Sequence, residues 1–214
     1  MLLRIILSLI LGGILGLERG MKNRPAGFRT YMLVCLGATL VMMTNQFIYI
    51  TYNKGDIVRM GAQVISGIGF LGAGTIVVTG RQQIKGITTA AGLWTAACCG
   101  LAIGIGFYEG AILGGITIFV VMALMDRVET VFRQKSPLMD IYLEYTGDKN
   151  FSVLLGEVRS RGLEITNIQM NKNNYGNDGE LCLIINVESK EKRSHADILA
   201  ILTSIEGVDY VEEL

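Results

Sequence analysis

The charges of this chain are spaced so that five long stretches carry none. Ile5–Leu17 is uncharged for 13 residues, Thr30–Asn53 for 24, Met60–Gly80 for 21, Gly86–Tyr108 for 23 and Gly110–Met125 for 16. A helix rising about 1.5 Å per residue needs about 20 mostly apolar residues to cross about 30 Å of hydrocarbon. Three stretches reach that length alone. The first reaches it with Met1–Leu3 and Glu18, its Arg4 snorkelling to the headgroups. The last borrows Phe107 and Tyr108 as an interfacial anchor. The reading is an α-helical transmembrane bundle of five spans, at 2–18, 30–50, 60–79, 87–106 and 109–126. The first stretch also has the length of a signal-peptide core, but no A-x-A cleavage site follows it, so it counts as a span.

The 19 basic and 19 acidic side chains cancel, which excludes a basic nucleic-acid binder at whole-chain level. The balance hides two unlike parts. Residues 1–126 hold nine basic and four acidic side chains, hence +5, and 21 of the 27 glycines; residues 127–214 carry −5. A transmembrane domain over 1–126, a linker over 127–137 and a second domain over 138–214 follow. Loops 18–29, 80–86 and 127–135 hold nine Lys and Arg, against three on the opposite side. The positive-inside rule then puts the N-terminus outside and the second domain in the cytoplasm.

Gly12, Gly16 and Gly20 are four apart on one helix face, and Gly100–Gly104 and Gly106–Gly110–Gly114 repeat the spacing. Small residues let helix backbones approach in lipid, so packing is the first reading. Gly67-Ile68-Gly69-Phe70-Leu71-Gly72 matches a dinucleotide fingerprint but lacks the preceding strand it needs. Gly67, Gly69, Gly72 and Gly74 read instead as a thin stretch of the third helix, with a broken helix exposing carbonyls to an ion as the sharper alternative.

Charge is expensive in hydrocarbon, so each polar residue near a span needs a reason. Glu18-Arg19 closes span one, and Arg24-Pro25-Ala26-Gly27-Phe28-Arg29 leads into span two. They read either as a positive-inside anchor or as a network pairing Glu18 with Arg29 or Arg24. Arg59, Gln63 and Ser66 share one face of span three, which is expected to point into the bundle or a polar cavity. Thr88 and Thr89 open span four as caps or interhelical donors, and Trp94 is expected to pack within the bundle.

No catalytic set is visible, so the chain does not read as an enzyme, and no cofactor motif stands. The one histidine is His195, in the second part. Cys35, Cys98, Cys99 and Cys182 lack C-x-x-C spacing and read as reduced core residues. Asp56, Glu109 and Asp126 are too scattered for an evident metal cage, leaving the metal unknown and only a weak outer cation site, at Asp56 and Glu109, open.

The second part alternates polar and apolar residues over 139–146, followed by a helix over 150–161, strands over 163–171 and 180–188, a Ser194-capped helix to Ile205 and a last strand over 208–212. This βαββαβ order is the ferredoxin-like α+β plan. It resembles an ACT-type regulatory domain, which implies a possible ligand loop at Gly147, Asp148, Lys149 and Asn150. The alternative is a sheet that dimerises or contacts a partner.

Gly16-Leu17-Glu18-Arg19 with Arg24-Pro25-Ala26-Gly27-Phe28-Arg29-Thr30 resembles the opening signature of the MgtC/SapB family. Arg59 with Ala62–Gly74 is similar to its central signature, and Gly86–Trp94 to a third. The resemblance implies a bacterial inner-membrane protein linked to adaptation to low Mg²⁺ and, in pathogens, to survival inside phagocytes; the chain is expected to contact lipid and to form a homodimer. It also implies a membrane partner such as the F-type ATP synthase, which some members restrain. Position 88 is Thr where some members have Asn. The alternative function is a transporter or channel for a cation or small solute, with a polar path along Gln63, Ser66 and Thr88.

Overall fold

A computed structural model describes residues 1–53, 55–79, 83–134, 136, 138–146, 151–170, 181–189 and 193–214. They form two compact units, Met1–Arg127 and Val128–Leu214.

The first unit is helical. Its elements are α1 (Leu2–Met21), α2 (Phe28–Tyr52), α3 (Arg59–Thr75), a two-stranded hairpin of β1 (Val77–Val78) and β2 (Ile84–Lys85), α4 (Ile87–Ile105) and α5 (Tyr108–Gln134). By length and composition α2, α4 and the Tyr108–Asp126 part of α5 are able to cross a membrane. Helix α1 carries Arg4, Glu18 and Arg19, and α3 has 17 residues, so neither matches those three in length and apolarity together. The third apolar stretch stops being helical at Thr75, two residues before the hairpin and short of residue 79. Helix α5 runs on to Gln134, through residues that read as linker.

Glycines decide which helices touch. A Cβ on Gly12 would lie 2.8 Å from the Tyr31 carbonyl oxygen, and one on Gly16 would lie 2.8 Å from Phe28 Cα. Helices α1 and α2 thus meet backbone to backbone, as small residues permit in lipid. Gly100 and Gly104 do the same for α4 against α2, the latter meeting the Thr39 carbonyl at 2.6 Å. The Gly106–Gly110–Gly114 repeat is not one helix face. Gly106 sits at φ +94 and ends α4, a left-handed position that suits glycine. Helix α3 is unbroken through its glycines. Gly72 packs on Ala90 at 3.3 Å, whereas Gly67, Gly69 and Gly74 have nothing within 4 Å, so helix packing explains only the first.

The second unit runs from the end of α5 through β3 (Leu138–Tyr145), α6 (Phe151–Ser160), β4 (Leu163–Met170), β5 (Leu181–Ser189), α7 (His195–Thr203) and β6 (Val208–Glu213). The sheet order is β4-β5-β3-β6 and every pairing is antiparallel. Met139, Ile141 and Leu143 of β3 and Leu183, Ile185 and Val187 of β5 point to one face, as period-two alternation requires. Leu154 and Val158 of α6 and Ile198 and Leu202 of α7 cover that face. Ser194 and Asp197 form a reciprocal capping box on α7. The loop Gly147–Asn150 lies outside the described residues.

Candidate functional site

The buried positions of α1 include Ser8, Leu11, Gly12, Leu15, Gly16 and Arg19, which recur every three or four residues. Arg19 therefore continues the packed face one turn past Gly16, and only 2% of it is exposed. Its Nη2 donates to Thr89 Oγ1 at 3.1 Å, in the first turn of α4. The Tyr31 hydroxyl donates to the Thr89 carbonyl at 3.4 Å. Gly92, one turn further along α4, leaves room for that tyrosine, because a Cβ there would overlap its hydroxyl.

Glu18 is buried beside Arg19, with Oε2 3.8 Å from Arg19 Nη1. This is an ion contact rather than a hydrogen bond. Lys22 pairs with Glu18 one turn along the chain and reaches across to Asp126 Oδ2 at 2.7 Å. Arg24 Nη2 lies 3.6 Å from the same carboxylate. Hydrogen bonding to Asp126, then to Glu18, holds the Lys22 ammonium above its ordinary pKa. Arg19 Nε and Nη1 are buried without a hydrogen-bond partner among the described residues. The cluster thus joins α1, α2, α4 and α5 at one end of the helical unit.

The network differs from the expected pairing of Glu18 with Arg29 or Arg24. Lys22 takes that place because residues four apart share a helix face. Arg24 lies past the end of α1, beyond a left-handed Asn23, and turns to Asp126. Arg29 is exposed and joins neither carboxylate.

Other polar residues do not gather there. Arg59, Gln63 and Ser66 share a face of α3, but that face is exposed rather than turned into the bundle. Thr88 is exposed, and Trp94 is 45% exposed instead of packed inside. The buried face of α4 is Thr89, Gly92, Leu93, Ala96, Ala97 and Gly100, which Thr88 and Trp94 miss. At the far end of α1, Arg4 is held by protein partners. It donates to Gln46 Oε1 at 2.5 Å, the Gly104 carbonyl at 2.7 Å and the Tyr108 hydroxyl at 3.2 Å. The Gly104 carbonyl is among the last of α4, which lack partners within the helix and attract cations. In the second unit His195 lies between Glu213 Oε1 at 3.1 Å and the Ser136 carbonyl at 3.0 Å, which ties α7 to β6. Among the described residues no three His, Cys, Asp or Glu side chains gather as a metal site.

The sequence profile of the MgtC family matches residues 5–131, the whole helical unit but its first residues. The chain belongs to the MgtC family. It is a membrane protein with a helical N-terminal region and a C-terminal sheet domain. Similar relatives in this family include a protein of Escherichia coli K12 named "Putative magnesium transporter YhiD". It is 30% identical over 212 residues, covering 97% of this chain and 95% of YhiD. Protein SapB of Bacillus subtilis is 27% identical over 215 residues, covering 97% and 92%. Protein MgtC of Salmonella typhimurium is 36% identical over 124 residues, covering 58% and 52%. The likeness to YhiD and SapB therefore takes in both units, and that to MgtC a shorter stretch. No solved structure matches this MgtC-family chain.

Proposed function

We propose that this chain is a non-catalytic regulatory protein of the bacterial inner membrane, acting in adaptation to low Mg²⁺ or membrane-energy stress by restraining the F-type ATP synthase. In this reading α1 to α5 are five spans in contact with lipid, the N-terminus is outside, and the sheet unit is a cytoplasmic ACT-like domain. The protein works as a homodimer. The Arg19–Thr89 cluster and its Glu18, Lys22, Arg24 and Asp126 partners set the shape of the cytoplasmic end of the bundle.

The observation that carries this reading is how the costly polar groups are used. Arg19 and Glu18 are sealed at one end of the first unit and Arg4 is bonded at the other. Gln63, Ser66 and Thr88, which would line a solute path, lie on the outside of the helices. Charges locked to fixed protein partners suit a rigid body that docks on another protein better than they suit a conduit, which needs exchangeable polar sites.

The test uses inverted bacterial membrane vesicles containing the F-type ATP synthase. ATP-driven proton pumping should fall as the chain is expressed and recover with Arg19→Ala at equal abundance. Pumping that stays constant across expression levels contradicts the proposal. The second reading, a transporter of Mg²⁺ or a small solute, is favoured by the name that YhiD carries.

A further inference from the structure

Helix α3 is packed on one side only. Gly61, Ile68 and Gly72 are its buried positions. At 3.6 residues per turn, Arg59, Gln63, Ser66, Gly67, Phe70 and Gly74 fall on an arc of about 100° centred roughly half a turn away. All six are exposed, Phe70 by 84%. Gly67 and Gly74 have nothing within 4 Å of where a Cβ would stand. In hydrocarbon this arrangement is unfavourable as it stands, because the Gln63 amide would lack partners, whereas the Ser66 hydroxyl can turn back to a carbonyl of its own helix.

We propose that this face of α3 is the interface of a parallel homodimer, in which Gln63 pairs with Gln63 of a second copy. The inference rests on the reading that α3 crosses the bilayer, and it names the surface through which the homodimer forms. A two-fold axis along the membrane normal sets a residue at the centre of the face opposite its own equivalent and brings residues one turn apart together diagonally. A glutamine amide has both donors and an acceptor, so two of them satisfy each other reciprocally. Phe70 of each copy seats against the bare backbone at Gly67 and Gly74 of the other, where small residues let helices approach closely.

Charge complementarity points to a second copy as the occupant. Asp56, in the turn before α3, accepts from the Val58 N–H at 2.9 Å, and Arg59 opens the helix; neither has an ion-pair partner among the described residues. In a parallel pair the long Arg59 side chain of each copy reaches diagonally to the Asp56 of the other, which neutralises the charges at the N-terminal end of the seam.

Disulfide cross-linking in native membranes tests the interface, with the unsubstituted chain as background for its own cysteines. Ser66→Cys and Phe70→Cys should give cross-linked dimers on oxidation, and Leu113→Cys on the exposed side of α5 should give none. In nanodiscs Gln63→Leu should weaken dimerisation by about five- to tenfold, from two interhelical hydrogen bonds of about 0.6 kcal/mol each, and Gln63→Asn should recover part of it. Monomeric protein, or cross-links from Ser66→Cys only to a different protein, overturn the interface. Labelling of Ser66→Cys by a membrane-impermeant maleimide removes α3 from the bilayer, and with it the five-span reading beneath the inference. Protection from the reagent without cross-linking rejects the interface alone.

Discussion

Replacing Glu18 by Gln leaves the Arg19 guanidinium in place, almost fully buried, with its nearest anion gone. In the native chain that anion is 3.8 Å away. Two unit charges at about 4 Å attract by about 4 kcal/mol at an effective dielectric of about 20, before desolvation is counted. Breaking a buried pair by removing one partner costs about 3–5 kcal/mol. Glu18→Gln should fall near the lower end, because the Thr89 hydroxyl still accepts from Arg19. Arg19→Met should cost less, about 1.5–3 kcal/mol, the worth of a hydrogen bond to a charged group. Glu18 is not orphaned in that variant, since Lys22 remains beside it. The double variant removes both charges together, and should be more stable than the sum of the single losses by at least about 1 kcal/mol. Reversible unfolding in mixed micelles, followed by the fluorescence of Trp94, measures all four proteins. Additivity within about 0.5 kcal/mol would refute the coupling.

Further outcomes follow from packing and capping. Gly16→Ala should destabilise the helical unit by about 1–3 kcal/mol, because its Cβ meets Phe28 and Tyr31 below 3 Å. Gly114→Ala, with nothing within 4 Å, should be neutral or stabilising by up to about 1 kcal/mol in the same unfolding assay. Hydrogen bonds from the Ser194 hydroxyl and backbone N–H hold the Asp197 carboxyl below its ordinary value. A depressed carboxylate stabilises fully above the unfolded value, near about pH 4, and loses its effect as pH falls through the folded value. Ser194→Ala should therefore speed hydrogen exchange in α7 at neutral pH, with the difference from the native chain shrinking in acid. Trp94, exposed on α4, should be quenched by lipids brominated in the acyl chain, whereas a tryptophan packed among helices would be shielded.

The elements of the sheet unit were legible within a residue or two because each has a local cause. Alternation marks β3, and Ser194 three residues before Asp197 marks the start of α7. Helix packing was legible where glycines repeat every four residues and the repeat stays within one helix, as at Gly12 and Gly16. It misled at Gly106, where a left-handed glycine ends α4 and breaks the face. Arg19 lay on a spacing that the apolar residues of α1 already defined, so its burial was readable from its helix alone. Its partner Thr89 stands 70 positions away, and Asp126 stands 104 from Lys22. No local pattern reports such distances. Polarity and aromaticity suggest shelter for Gln63 and Trp94. On α4 the small residues Gly92, Ala96, Ala97 and Gly100 mark the side that packs, and Trp94 falls on the other; on α3 glycines lie on both sides, so they do not tell which side Gln63 is on.

The sealed character of the bundle is tested most directly by flux. Purified chain in liposomes carrying a trapped magnesium-sensitive dye, under an inward Mg²⁺ gradient, should show no entry above protein-free liposomes. Saturable Mg²⁺ entry that depends on the protein and is lost in Gln63→Ala would contradict a regulator and establish a transport path along α3.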